Sequence, residues 1–292
     1  MKVVFHFDGG EALRAKLGDV ILCPESDAAA FERLLPEMEV LWHVLKPVTA
    51  DVIARAPKLR LIQKIGSGVN TIDVEAAKRR GIAVCNLPGT NSRAVAEMTV
   101  LLMLACLRRL PQMRAEWSDA SKLQDHFGEL GGRVVALVGY GEIPRILHPI
   151  LEAFGAKVLY WSRSQKNAEL NELLARADIV SLHLPLAPDT RQLIDPRRMK
   201  RGSILINTAR GALVNEDLLY EALKSGHLAA AGLDVFAQEP LPAGHRMLSL
   251  SNVVCTPHLG WLTGETLERS IAAASQNVER LRAGKALLNR VG

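Results

Sequence analysis

The stretch Val134-Val135-Ala136-Leu137-Val138-Gly139-Tyr140-Gly141-Glu142-Ile143-Pro144 decides the fold. Five apolar residues in succession read as a buried parallel strand, and an amphipathic helical pattern follows the glycines. The stretch nearly matches the dinucleotide fingerprint G-x-G-x-x-G. In that fingerprint the first glycine permits a tight turn, the second lets a pyrophosphate approach the backbone, and the helix N-terminus favours phosphate charge. Gly139, Gly141, Glu142 and Ile143 are therefore candidate cofactor-binding residues. Pro144 replaces the third glycine, which the first helical turn tolerates because its N–H has no intrahelical partner. Pro149 is expected to kink or shorten the helix. A lone G-x-G also describes a plain strand-to-helix turn; the strand–turn–helix setting favours the cofactor.

Outward from this stretch the same alternation recurs. Val3–Phe7, Val20–Cys23, Val40–Val44, Leu59–Ile65 and Ile82–Cys85 precede it as short apolar runs. Lys157–Trp161, Ile179–Leu182, Ser203–Asn207, Ala230–Asp234 and Val253–Cys255 follow it. Strands alternating with helices imply an α/β fold, and eleven of them fit two doubly wound parallel-sheet domains better than one. A long apolar helix over Ser92–Leu110, with Ser92 as N-cap, would carry the chain from one sheet to the next. A second helix over Thr263–Ala283 would bring it back. The expected domains are residues 1–91 with 266–292, and an inserted cofactor domain over residues 92–265.

With 292 residues, 48% hydrophobic and 23% charged, the chain has the composition of a soluble globular protein. No apolar run is long enough for a membrane span, and the N-terminus enters a strand-like run without a signal-peptide pattern. Four scattered cysteines in apolar stretches read as reduced core residues of a cytoplasmic protein. The net charge of +5 is dispersed and aromatics make up only 4%, which argues against nucleic acid and for small anionic ligands. No metal site is expected.

Other chemistry-bearing segments fall at carboxyl ends of expected strands, where ligands of open α/β sheets collect. Trp161 is followed by Ser162-Arg163-Ser164, where an NAD site usually carries an acid for the ribose hydroxyls. Serine and arginine suit a 2′-phosphate instead, so NADPH is favoured over NAD. The alternative is a solvated Arg163 stacked on adenine. Arg210, Glu239 and His258 follow three further strands. An arginine grips a carboxylate or carbonyl, a histidine delivers a proton, and a carboxylate orients the imidazole. Spacing alone leaves open whether they meet.

Six segments carry a resemblance over nearly the whole chain: Gly66–Asp73, Asn86–Gly89, Val95-Ala96-Glu97, Asn207-Thr208-Ala209-Arg210-Gly211, Gly232–Phe236 with Glu239-Pro240, and Thr256–Gly260. Together they resemble the D-isomer-specific 2-hydroxyacid dehydrogenases, in particular NADP-preferring glyoxylate/hydroxypyruvate reductase-like members. The resemblance implies a flavodoxin-like substrate domain and a Rossmann cofactor domain. It implies His258 as general acid/base, Glu239 as its partner, and Arg210 as the grip on the substrate carboxylate and 2-keto group. The backbone N–H groups of Ser67, Gly68 and Val69 would form a second carboxylate clamp, brought toward His258 by domain closure. Asp234 would orient the nicotinamide carboxamide, and Leu184, Pro185, Thr190, Thr208, Ala209 and Gly260 would line the cofactor. Pro185 and Leu184 could equally shape a loop, and Thr190 could cap a helix. A homodimer through Ser92–Leu110 and the Pro111–Glu129 connection is also implied.

Two alternatives share these motifs: a regulatory protein that binds NAD(P)H as a sensed ligand, and a dehydrogenase of formate or phosphite. Val44–Lys46 and Trp261 hint at a compact pocket, which makes glyoxylate or hydroxypyruvate the first substrate expectation.

Overall fold

The computed structural model describes residues 1–115, 127–163 and 167–291. The chain forms two units, Met1–Asn91 with Leu262–Gly292, and Ser92–Trp261. The second unit thus ends slightly before the boundary expected at residue 265. No helix among the described residues is long and apolar enough to cross a membrane.

The first unit holds strands β1 (Val3–His6), β2 (Ile21–Cys23), β3 (Val40–His43), β4 (Leu61–Lys64) and β5 (Ala83–Cys85). All pair in parallel in the order β2-β1-β3-β4-β5, the flavodoxin-like arrangement. Alternate residues face opposite sides, so Val4, Leu41 and Ile62 bury together against Phe31, Leu35, Ile53 and Ala77. These partners come from helices α2 (Ala28–Leu34), α3 (Ala50–Arg55) and α4 (Val74–Arg79) and the turn after α2; α1 (Glu11–Arg14) is a single turn. Asp27, Thr49 and Asp73 cap α2, α3 and α4 by accepting a backbone N–H. The last helix of the chain, Gly264–Arg282, returns to this unit, where Asn277 Nδ2 donates to Gln63 Oε1 on β4 at 2.8 Å.

The second unit holds helices α5 (Ser92–Leu107) and α6 (Leu110–Ala115), then β6 (Val134–Val138), α7 (Glu142–Ala153), β7 (Lys157–Trp161), α8 (Asn167–Arg176) and β8 (Ile179–Leu182). It continues with β9 (Ile204–Asn207), α9 (Glu216–Lys224), β10 (Ala230–Leu233) and β11 (Val253–Cys255). The parallel order is β11-β10-β9-β8-β6-β7, so the chain direction across the sheet reverses at β6. Val135 and Leu137 pack with α5 and α7 on one face, while Ala136 and Val138 pack with α8 and α9 on the other. Each face is covered, which is why the strands read as unbroken apolar runs.

Local differences from the sequence expectation have physical causes. The long helix breaks at Arg109, which takes a positive φ of 48°, and a short helix restarts at Leu110. Ser92 lies inside α5 and its hydroxyl donates to Glu142 Oε2 at 2.9 Å, so it does not cap. Helix α7 runs on past Pro149 to Ala153 and is not shortened. All four cysteines are thiols; burial pushes Cys85 up to about 11 and Cys106 to about 12.

Candidate active site

Three loops leave the carboxyl ends of β9, β10 and β11, and each is fixed by its own side chains. After β9, Asn207 folds over its own turn: Oδ1 accepts the Ala209 N–H at 3.1 Å, and Nδ2 donates to the Arg210 carbonyl at 2.9 Å. Thr208 is buried, with its hydroxyl 3.0 Å from that of Thr99 on α5. Gly211 is required by proximity, since a Cβ there would fall 2.0 Å from the Phe236 carbonyl carbon. The Arg210 loop therefore lies against the loop that carries Glu239.

After β10, buried Asp234 holds the third loop. Its Oδ1 accepts from the Thr256 hydroxyl at 2.6 Å and the Leu259 N–H at 2.9 Å, and its Oδ2 accepts from the Gly260 N–H at 2.9 Å. The His258 N–H donates to the Asp234 carbonyl at 2.9 Å. A Cβ at Gly260 would stand 2.8 Å from Asp234 Oδ2, so the carboxylate demands glycine there. His258 itself has φ 56°, a left-handed conformation uncommon outside glycine and typical of residues over-determined by function. Burial raises the Asp234 carboxyl above its ordinary value, against the opposing pull of these hydrogen bonds.

The result of this bracing is one short contact. His258 Nδ1 lies 2.6 Å from Glu239 Oε2, while Glu239 Oε1 accepts the Phe236 N–H at 2.9 Å. Burial pushes the Glu239 carboxyl up, but the hydrogen bond and charge of His258, the Phe236 N–H and the Arg210 charge together bring it below its usual value. An ionised carboxylate only accepts, so Nδ1 carries the hydrogen and Nε2 is left for a substrate. The two side chains are 17% and 29% exposed, open enough for a ligand to reach that nitrogen. Arg210 is lowered by burial and raised again by Glu239, so the two charges face one environment. Its guanidinium donates to the Ala209 carbonyl at 2.6 Å. Arg210, Glu239 and His258 are thus brought together within the second unit. Trp261, next to this loop, is buried.

The ends of β6, β7 and β8 form the other half of the unit's carboxyl edge. Gly139 has φ 102°, and a Cβ there would lie 2.7 Å from the His183 carbonyl oxygen and 3.2 Å from Leu184, so only glycine fits the reversal point. Gly141, by contrast, faces open space and serves as N-cap of α7 without a side-chain cap. The first-turn amides of Glu142 and Ile143 are uncapped by any helix carbonyl. This combination fits a dinucleotide pyrophosphate: a bare helix end with nothing in front of the second glycine. Buried Pro144 occupies the third glycine's place without closing that space. Ser162 is half-buried and Arg163 is exposed, with no hydrogen bond or ion pair for Arg163 among the described residues. Ser164 lies outside the described residues. Leu184 is buried beneath Gly139 and Pro185 is exposed. The Thr190 hydroxyl accepts the Ala187 N–H and donates to the Pro185 carbonyl, both at 2.8 Å, so it shapes this loop.

In the first unit, Ser67, Gly68 and Val69 follow β4 in one loop. Gly66 opens it with φ 133°, and the Asn86 side chain donates to the Ser67 carbonyl at 2.8 Å. Asn207 and Thr256 were not singled out as site residues from sequence. An asparagine ending an apolar strand before a turn is a readable signal; Thr256 offers none.

Residues 100–260 match the family described as D-isomer specific 2-hydroxyacid dehydrogenase, NAD binding domain. A glyoxylate reductase of Aeropyrum pernix is 35% identical over 305 aligned positions, which cover 96% of this chain and 91% of that protein. Among solved structures, a formate dehydrogenase of Staphylococcus aureus in complex with NAD has a TM-score of 0.89 at 26% identity, covering 100% of this chain and 99% of the other. An acyclic imino acid reductase in complex with NADPH and D-arginine has a TM-score of 0.85 at 26% identity, with full coverage of both chains.

Proposed function

Because the chain belongs to the D-isomer-specific 2-hydroxyacid dehydrogenases and is an NAD(P)-dependent oxidoreductase, we propose that it reduces a small 2-keto acid with NADPH. Glyoxylate and hydroxypyruvate are the first candidates, since the relatives at 35% and 37% identity carry those names. The observation that carries the reading is the 2.6 Å Glu239–His258 pair, held beside the Arg210 charge by three braced loops.

In this reading the residues of the second unit would hold the nicotinamide cofactor, which when bound would supply the hydride for reduction at the 2-keto carbon. His258 gives its Nε2 proton to the keto oxygen, and Glu239 stabilises the imidazolium and fixes its tautomer. Arg210 binds the substrate carboxylate and offsets the charge that develops on the keto oxygen. The amides of Ser67, Gly68 and Val69 bind a substrate carboxylate on the first unit, whose role is the substrate's, while the second unit's is the cofactor's. Gly139, Gly141, Glu142 and Ile143 take the pyrophosphate; Leu184, Pro185 and Thr190 shape the nucleotide wall; Thr208, Ala209, Asp234 and Gly260 shape the nicotinamide end. Ser162 and Arg163 take the 2′-phosphate. One solved neighbour is in complex with NAD and another with NADPH, and the Ser162-Arg163 pair supports NADPH for this chain. A homodimer in the cytoplasm belongs to the same proposal; Leu101 on α5 and Leu110 on α6, 54% and 53% exposed, support a covered helix face.

The test is NADPH and NADH oxidation with glyoxylate, hydroxypyruvate and pyruvate, beside formate oxidation with NAD⁺. Turnover of a 2-keto acid, faster with NADPH, is expected. No turnover of any 2-keto acid, or turnover of formate alone, would sink the reading.

A further inference from the structure

Three adjacent strands of the first sheet end in a basic residue on one face. His6, His43 and Lys64 are the last residues of β1, β3 and β4, and their registers pair His6 with His43 and His43 with Lys64. They are 4%, 1% and 5% exposed. Burial, then the charge of Lys46, brings His6 down to about 4; burial and the charge of Lys64 hold His43 well below its ordinary value. Both imidazoles are therefore neutral, and His43 feels the charge of its neighbour Lys64. The Lys64 ammonium donates to the Val44 carbonyl at the exit of β3. A Cβ at Gly66 would lie 3.7 Å from Lys64 Cε, so the lysine stem runs directly beneath the loop that begins there.

Three carbonyls of that loop are engaged. The Gly66 carbonyl accepts the Leu87 N–H at 2.8 Å, and the Val69 carbonyl accepts the Ile72 N–H at 3.0 Å. The Ser67 carbonyl accepts from Asn86. The N–H groups of Ser67, Gly68 and Val69 donate to nothing among the described residues. Three successive open amides are donors that an anion can accept.

We infer that Lys64 is a positioning residue for the substrate carboxylate, a fixed positive charge that makes the Ser67–Val69 amides an anion site and ties the exits of β3 and β4 beneath it. The inference rests on the reading that these amides bind the carboxylate. A buried ammonium is costly compared with an apolar chain of the same length, and methionine would fill the volume. A charge retained at this place, under open donors, acts where an anion must be held.

The experiment compares Lys64→Met and Lys64→Arg with the parent enzyme for KM and kcat toward the best 2-keto acid, and for NADPH affinity by fluorescence. Lys64→Met should raise KM about tenfold or more through the lost charge, with kcat within threefold and NADPH affinity unchanged. Lys64→Arg keeps the charge and should hold KM within about threefold. An unchanged KM in a folded Lys64→Met, or a fall in NADPH affinity equal to the rise in KM, overturns the inference. Should Lys64→Met not fold, a tenfold KM rise in Lys64→Arg overturns it and a preserved KM supports it. Gly68→Pro, which deletes one amide, is assayed alongside. A KM raised there but not in Lys64→Met sinks the role of Lys64 alone, whereas KM unmoved in both sinks the reading of the amides.

Discussion

The two halves of the second unit's carboxyl edge are built in opposite ways. At the ends of β9, β10 and β11, the loops are tied by Asn207, Gly211 and Asp234, and His258 is held in a left-handed conformation. At the ends of β6 and β7, the glycine turn presents bare amides, and Ser162 and Arg163 stand at the strand end with Arg163 in solvent. Proton transfer is sensitive to displacements of an ångström, so its groups are fixed by backbone-anchored bonds. In the proposed reading, recognition of a cofactor phosphate needs charge more than exact placement, and an exposed Arg163 suits that need. The braced half should therefore break catastrophically and the open half should be exchangeable.

The largest effect is expected from removing the proton donor. His258→Ala should lower kcat by about a thousandfold, the scale of a positioned general acid, while NADPH still binds. Steady-state assays and a cofactor titration check both halves of that statement; near-parental kcat would remove His258 from the mechanism. Gly211→Ala follows, because its Cβ would overlap the backbone of Phe236 and force the Arg210 loop away from Glu239. A fall in kcat/KM of about a hundredfold is expected, with Tm lowered by several degrees. A fully active Gly211→Ala would mean that the bracing of this edge is dispensable.

The open half gives a change of identity in place of loss. Ser162→Asp introduces the carboxylate that accepts ribose hydroxyls and repels a 2′-phosphate. The ratio of kcat/KM for NADPH over NADH should fall by about tenfold or more, with Tm little changed. An unchanged ratio would show that cofactor choice is made elsewhere and that Arg163 is a solvated charge.

The same contrast explains what could be read in advance. The apolar runs predicted the strands because both faces of each sheet are covered, and the two-sheet architecture followed from their number and spacing. Arg210, Glu239 and His258 were visible as residue types at strand ends. Spacing alone left their union open and only the family resemblance implied it: the Glu239–His258 contact depends on Asp234 gripping Thr256, Leu259 and Gly260, a polar partnership across many residues with no periodicity. Ser92 misled for a related reason. Its residue type suits a cap, yet Glu142, fifty positions away, offered its hydroxyl a better acceptor. Lys64 lies in the run Leu59–Ile65, whose apolar pattern gives no sign of a buried lysine beneath the Gly66 loop.

The smallest effect at assay pH distinguishes the first sheet from the second edge by acid sensitivity. His6 and His43 are buried as neutral imidazoles, with folded values depressed by burial, His6 to about 4. A histidine whose folded pKa lies below its unfolded value of about 6.5 leaves the unfolded chain binding more protons between the two. Stability is therefore unaffected above about pH 6.5 and falls as the pH drops from there toward about 4, by roughly 1.4 kcal/mol per pH unit for each such group. Glu239, depressed below the ordinary carboxylate value, has its stabilising contribution intact throughout most of this window and loses it only at lower pH. Thermal melts from pH 7 down to pH 4.5 should show Tm declining first through the histidines. His6→Phe preserves the stack on Phe31, whose ring centroid lies 3.9 Å away, and should flatten that decline without touching activity at pH 7. A decline equally steep in the variant would mean that protons enter the protein at another site, and that the first sheet's basic row is not its acid-sensitive point.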